Sequence, residues 1–439
     1  MDVPPSKDDS SRLSRRAAVY GLSLLTLLNF VNYIDRYILA AVQPRILDEF
    51  HLSNTEGGLI FSAFLVVYFL TSPIFGRLGD RLSRTRLMAV GVGAWSLATA
   101  ASGMVRSYAQ LLVARAAVGV GEAAYGTISP ALISDYFPAG RRGRAFAVFY
   151  VAIPVGSAVG YILGGELEHA LHSWRSVFFI VGLPGLLLAV LTLTAPDPPR
   201  GIQDRAAGGR HVADGSSETG GAGLAAEQRA SFREVLRGLL RNRTYTWTVL
   251  GYAAYTFAIG GLSFWAPSYF ERVRGLPLNE ADRLIGTAAV VSGLFGTFAG
   301  GYAGDWLQRR VRGGYLWMSG AAMLIAVPFA WLALAQTSDR TTYTWALFVA
   351  EFFVFLSTGP INVVIVSVVP IAMRATAMAV SIFAIHLFGD AISPTILGIA
   401  ADLAGWPAAA VIVPVVIGVS GLIWVGTALR ERGEVVSRQ

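Results

Sequence analysis

The sequence predicts an all-α polytopic membrane protein with twelve transmembrane helices in two pseudo-symmetric halves of six. Three observations point to this class. Charged residues make up 14% of the 439 positions and hydrophobic residues 54%, whereas a soluble domain averages about a quarter charged. Apolar runs of the roughly 20 residues needed to cross a bilayer recur along the chain. The basic residues, all arginine except Lys7, gather on alternate loops. A soluble two-domain enzyme and a disordered chain are excluded.

The spans fall near 17–43, 54–75, 87–105, 109–134, 145–165, 175–195, 245–269, 284–303, 315–335, 342–369, 375–400 and 407–428. With the N-terminus inside, 26 of the 35 basic residues lie on cytoplasmic segments, 7 on the outer side (Arg175, at the outer edge of the sixth span, among them) and 2, Arg36 and Arg115, deep within spans. Such an excess marks the cytoplasmic face, so both termini are expected inside, in a cell (inner or plasma) membrane. Residues 1–16 form a polar, basic tail, and the apolar stretch after it is too long for the core of a cleavable signal. The first half is 17–195, the linker 196–244, the second half 245–428 and the C-terminal tail 429–439. Residues 196–228 are rich in Gly, Ala, Asp and Arg and predict a flexible tether. After them, Phe232, Val235, Leu236, Leu239 and Leu240 share one face of a helix lying on the membrane surface.

Several chemistries are missing from the sequence. There is no cysteine, hence no disulfide, thiolate or Cys-based metal site. No two of the five histidines sit at metal-ligand spacing on a helix, and neither HExxH nor a GxxxxGK[ST] phosphate loop occurs. No cofactor, enzyme activity or nucleic-acid partner is expected, since the net charge of +7 sits on membrane-flanking loops.

The halves are tied by a repeat. Gly76-Arg-Leu-Gly79-Asp80-Arg-Leu-Ser-Arg84 follows the second span, and Gly301-Tyr-Ala-Gly304-Asp305-Trp-Leu-Gln-Arg309 follows the eighth, with Gly, Gly, Asp and Arg in register. Arg144-Ala-Phe-Ala147 is echoed by Arg374-Ala-Thr-Ala377. Parallel repeats of six spans are the plan of major facilitator transporters. The Gly76–Arg84 segment resembles that superfamily's signature between its second and third helices, with Ser83 in place of a glycine. Arg115-Ala-Ala-Val-Gly119-Val-Gly121-Glu122 resembles its fourth-helix motif, and Ile153-Pro154-Val-Gly156 with Gly160 and Gly164 its fifth. More narrowly, Asn32-Tyr33-Ile-Asp35-Arg36-Tyr37, Gly119-Val-Gly-Glu122-Ala-Ala-Tyr125 and His386-Leu-Phe-Gly389-Asp390-Ala-Ile-Ser-Pro394 are similar to the Spinster family. The resemblance implies a secondary transporter, and the intramembrane charges read below add the proton as its coupling ion. Its substrate would be an amphiphile like a lysophospholipid or sphingosine 1-phosphate, moved by rocking of the two halves. A monomer among membrane lipids is expected. Competing readings are a drug–proton antiporter, a symporter of small organic anions, and a non-transporting lipid receptor.

Ionisable groups inside a span are costly unless paired or wet, so each is a functional candidate. Seven residues separate Arg115 from Glu122, two turns on one face. With Asp35 and Arg36 on the first span they form the candidate proton-coupling set. The alternative is a static ion pair joining the first and fourth spans. His386 and Asp390 share a face of the eleventh span and, with Asn32, Tyr33 and Tyr125, are candidate substrate contacts; mutual satisfaction at a helix interface is the alternative. Glu351 is read as facing other helices. The resemblance assigns Gly76, Gly79, Asp80, Arg84, Asp135, Asp305 and Arg309 to a cytoplasmic gate, with Arg84 reaching Asp135.

Overall fold

Inside a bilayer the backbone has no water to bond, so each crossing segment must satisfy its own N–H and C=O groups, and a helix does so. A computed structural model describes residues 13–203, 232–336, 339–370 and 373–436. Among them there is no strand, and eleven helical segments are long and apolar enough to cross a membrane. The expected tail residues 1–12, most of the tether and residues 437–439 lie outside the described residues, as do the side chains of Phe232, Val235 and Arg374.

The first six helices are α1 (Arg15–Phe50), α2 (Asn54–Arg81), α3 (Arg84–Ser102), α4 (Tyr108–Tyr136), α5 (Ala139–Leu171) and α6 (Trp174–Thr192). Helix α3 is the twelfth crossing. Two arginines at its start and small polar residues along it lower its apolarity, and it packs along α4 with Ser96, Thr99 and Ser102 fully buried. The amphipathic α7 (Phe232–Arg241) precedes α8 (Arg243–Arg272), α9 (Leu278–Gln308) and α10 (Gly314–Trp331). On α7, Leu239 is buried and Leu240 exposed. The remainder is α11 (Arg340–Phe355), α12 (Thr358–Ser367), α13 (Arg374–Ile385), α14 (Ser393–Ala404) and α15 (Trp406–Val436).

Two spans expected to be continuous are broken. The tenth divides into α11 and α12 because Pro360 has no N–H to give the Leu356 carbonyl one turn back. The eleventh divides at a π-turn, His386–Asp390, where Gly389 leaves helical geometry (φ −109°, ψ −107°). Pro394, at the start of α14, likewise offers nothing to the Asp390 carbonyl, and Thr256 Oγ1 donates to the Ile385 carbonyl at 2.7 Å. Elsewhere the helices overrun the expected spans. Helix α1 has 36 residues, about 54 Å at 1.5 Å each, well beyond a hydrocarbon core of roughly 30 Å.

The described residues of Met1–Arg36, Ala63–Gly156 and Arg175–Ser216 form one compact unit, and those of Tyr37–Ser62, Ser157–Trp174 and Ser217–Gln439 another. In the first, α3 crosses α4 where Gly91 and Gly121 meet: a methyl group on Gly91 would lie 2.8 Å from the Gly121 carbonyl, and one on Gly121 2.6 Å from that of Gly91. In the second, a stripe on α9 brings Gly296 against the Phe352 carbonyl, Gly300 against the Leu356 carbonyl and Gly304 against Pro360. Such stripes let helix backbones approach where hydrophobic burial contributes little between helices.

The start of the expected tether is not free. Residues 196–203 are held against the ends of α2, α3 and α4. Tyr136 donates to the Pro196 carbonyl (2.6 Å), and Arg200 Nη2 to the carbonyls of Gly79 and Leu82 (2.7 Å each). The Gly201 N–H donates to Asp135 Oδ1 (2.8 Å). Asp197 takes the Arg84 N–H at 3.0 Å and its Nε at 2.9 Å. Composition misled here because the charges that mark a solvated linker are the groups that dock it.

Two outcomes are expected. Gly300→Ala would place its methyl 2.0 Å from the Leu356 carbonyl oxygen and should destabilise the protein by about 1–3 kcal/mol. Gly301→Ala, with nothing within 4 Å, should be neutral or gain up to about 1 kcal/mol of helix propensity. Thermal unfolding in detergent reads the difference, and equal melting temperatures would refute the close contact. Secondly, Asp197→Ala should free the docked segment and speed tryptic cleavage after Arg200 several-fold. An unchanged cleavage rate would show that Asp197 does not hold it.

Candidate functional site

The first unit gathers two arginines and two carboxylates on α1 and α4, three of them fully or nearly fully buried and Arg36 partly open. Seven residues apart on α4, Arg115 and Glu122 are both fully buried; Asp35 on α1 is 1% exposed. The pairing is crossed. Arg36 Nε donates to Glu122 Oε2 at 2.7 Å, and Arg115 Nη1 stands 3.7 Å from Asp35 Oδ1. Arg36, turned about 100° from Asp35 around α1, thereby reaches the acid two turns from Arg115. Thr99 of α3 donates to Asp35 Oδ2 at 2.5 Å.

The two ion pairs differ in kind. Arg36–Glu122 is a charge-assisted hydrogen bond, about twice as strong as a neutral one. Arg115 faces Asp35 at ion-pair range only, and none of its three nitrogens has a hydrogen-bond partner among the described residues. Aromatic faces supply part of what water would. The Arg36 guanidinium lies 5.1 Å from the Tyr33 ring centre, 5.2 Å from Phe64 and 5.3 Å from Tyr68, and that of Arg115 lies 5.8 Å from Phe64. A cation–π contact contributes about 0.5–1 kcal/mol where exposed and about 2 kcal/mol or more where desolvated. Neither Glu122 Oε1 nor Asn32 Nδ2 has a partner among the described residues. The Arg36 side chain keeps 17% of its surface open. Of the four charged groups it is the least buried.

The other candidates fall into separate places. Tyr33 sits in the aromatic cage of Arg36. Tyr125 is buried and its hydroxyl donates to the Leu25 carbonyl at 2.7 Å, fastening α4 to α1. His386 and Asp390 face each other across the π-turn, Nδ1 being 2.9 Å from both carboxylate oxygens, with side chains 33% and 23% exposed. On α11, Glu351 has Oε2 buried without a partner among the described residues.

At the far end of the first unit, Arg84 Nη1 donates to Asp135 Oδ2 at 2.5 Å. Its Nη2 reaches the Pro198 carbonyl. Asp80 is exposed, and its side chain makes no ion pair or hydrogen bond among the described residues. The second copy of the motif is bonded differently: Asp305 takes the Tyr315 hydroxyl at 2.7 Å, and Arg309 is exposed at the end of α9. Gly79 is buried against Ile128 of α4, and Gly76 lies beside Thr127.

Two acids were not singled out from sequence. Asp197 sits among prolines in what looks like linker. Asp282 falls just before the expected eighth span, in the first turns of α9, yet is fully buried with neither carboxylate oxygen bonded among the described residues. Its one sequence signal is its place, five residues into an apolar helix that starts earlier than hydropathy suggests.

The chain matches the Major Facilitator Superfamily over residues 25–394. It is 35% identical over 417 residues to protein spinster homolog 3 of Danio rerio, covering 91% of this chain and 80% of that protein. It is 31% identical over 422 residues to the sphingosine-1-phosphate transporter SPNS2 of Xenopus tropicalis, covering 92% and 77%. Among solved structures, a bacterial homologue of the human lysosomal transporter Spinster, crystallised inward-facing and unoccupied, superposes with a TM-score of 0.78 at 25% identity, over 95% of this chain and 96% of that one. The motifs on α1, α4 and the broken eleventh span thus belong to a multi-pass membrane transporter and not to an enzyme: the chain is a member of the Spinster group of the major facilitator superfamily.

Proposed function

We propose that this transporter moves a single-chain amphiphile with an anionic head, of the lysophospholipid or sphingosine 1-phosphate kind, and couples it to protons at Asp35 and Glu122. The observation that carries the reading is the crossed pairing around Arg36. Protonation of Glu122 removes the charge that holds Arg36, and Arg36 is the partly open member of the set. Its guanidinium, still caged by Tyr33, Phe64 and Tyr68, is then free to take a phosphate, which its planar fork matches with two hydrogen bonds. Arg115 stays charged throughout and sets the field in which Asp35 gains or loses its proton. A relative that carries sphingosine 1-phosphate in its name supports the substrate class. In this reading the halves 17–195 and 245–428 rock about the site as a monomer, both termini are cytoplasmic in the cell membrane, and Arg84–Asp135 and Asp80 belong to the cytoplasmic gate. His386 and Asp390 supply a polar contact from the second half.

Two isosteric variants test coupling. Asp35→Asn and Glu122→Gln each mimic the protonated acid. Binding of a lysophospholipid and of sphingosine 1-phosphate, followed by native mass spectrometry from about pH 5 to 8, should vary with pH in the wild type and flatten in at least one variant, the range being that in which desolvated carboxyls titrate. A static ion pair gives another result: folding yield falls, since breaking a buried pair costs about 3–5 kcal/mol, and the pH midpoint of the surviving protein stays put. Wild-type midpoints in both variants would overturn the assignment.

A further inference from the structure

A second charged cluster lies in the second unit, where the ends of α1 and α5 meet α8 and α9. Its acids are provided for one by one. Glu166 of α5 is met by Arg283 Nε at 2.5 Å. Arg45 of α1 bridges Glu168 of α5 at 3.3 Å and Glu271 of α8 at 2.8 Å. Arg272 of α8 turns to Asp48 of α1 at 2.7 Å, and Arg340 of α11 to Glu280 at 2.8 Å. Asp282 is left over. It is fully buried, and neither oxygen has a hydrogen-bond partner among the described residues.

Its surroundings oppose a negative charge. A methyl group on Gly165 of α5 would lie 2.5 Å from Asp282 Oδ2, so the carboxyl is pressed against a bare helix backbone. Glu271, Glu168 and Glu166 act on it, with Tyr161 of α5 also near; Arg45, which opposes them, is already shared by two glutamates, and the neighbouring Arg283 is turned to Glu166. A buried carboxylate with no partner costs far more than a buried neutral acid.

We infer that Asp282 is a proton-binding site separate from the Asp35–Glu122 network, holding its proton while these ends of α1, α5, α8 and α9 are packed together and releasing it when they part. The step is a bare protonation equilibrium: the acid takes one proton from water on packing and returns it on separation. Packed helix ends therefore bind one proton more than separated ends. Acid favours the packed arrangement, and each pH unit through the titrating range lowers the ratio of packed to separated by up to about tenfold.

The absence of native cysteine allows clean labelling. Spin labels at Ala170→Cys on the last turn of α5 and Thr341→Cys on the first turn of α11, both exposed, report separation of these ends. With wild-type Asp282, the long-distance population should grow as pH rises from about 5 to 8, by up to about tenfold per unit. Asp282→Asn, which keeps the size of the neutral acid, should stay packed across the range. Difference infrared spectra should show a protonated-carboxyl band that this variant alone removes. The same distances measured with Asp35→Asn and Glu122→Gln combined keep Asp282 intact and do not depend on the asparagine variant folding. There the pH response should persist, even if those two residues prove not to couple transport. A wild-type pH response in Asp282→Asn, no band lost with it, or a response abolished in the double variant would each overturn the assignment.

Discussion

The Arg115 guanidinium is fully buried, and a charge within a membrane span is costly unless the protein neutralises it where it sits. Asp35 supplies the opposite charge and Phe64 a face of its ring. That arrangement fixes the rotation of α1 against α4, and the rotation in turn sends Arg36 to Glu122. Thr99 then holds Asp35 from α3, and the close α3–α4 crossing at Gly91 and Gly121 keeps Thr99 within reach. Remove the burial of one arginine and the geometry of three helices loses its reason.

The same constraint separates two kinds of buried charge. Arg84 is nearly as buried as Arg115, yet it is saturated: Asp135, Asp197 and the Pro198 carbonyl leave it no free side. Arg115 and Asp282 are buried without hydrogen bonds among the described residues. Saturated charge fastens an end of a unit. Unsaturated charge stores free energy that a proton or an anion can release.

Much of this was legible in the sequence, for a physical reason. A charge within twenty apolar residues stands out, so Asp35, Arg36, Arg115, Glu122, His386 and Asp390 could be picked from the chain alone, and the repeated glycine–aspartate motif exposed the duplication. What the chain alone hides is the angle between helices. Spacing places Glu122 two turns from Arg115, but only the tilt of α1 decides that Arg36 takes Glu122. Asp197 and Asp282 escaped because hydropathy reports the average of a window, and each sits where an apolar run meets polar residues. The breaks at Leu356 and Gly389 escaped because a proline or glycine inside a membrane helix more often bends it than divides it.

The glycine contacts of α3 with α4 and of α9 with α11 bear on mechanics. Where side chains separate two helices, rotamer changes can absorb a displacement, as a soft washer does. Between Gly91 and Gly121, or Gly300 and the Leu356 carbonyl, one backbone rests on another with nothing compressible between them, and protein interiors this dense transmit strain. Each such pair is a stiff strut. A displacement of α4 at Gly121 therefore bears directly on α3, and one of α9 at Gly300 on the break after α11. Motion at either crossing thus passes from backbone to backbone, where loosely packed side chains would take it up.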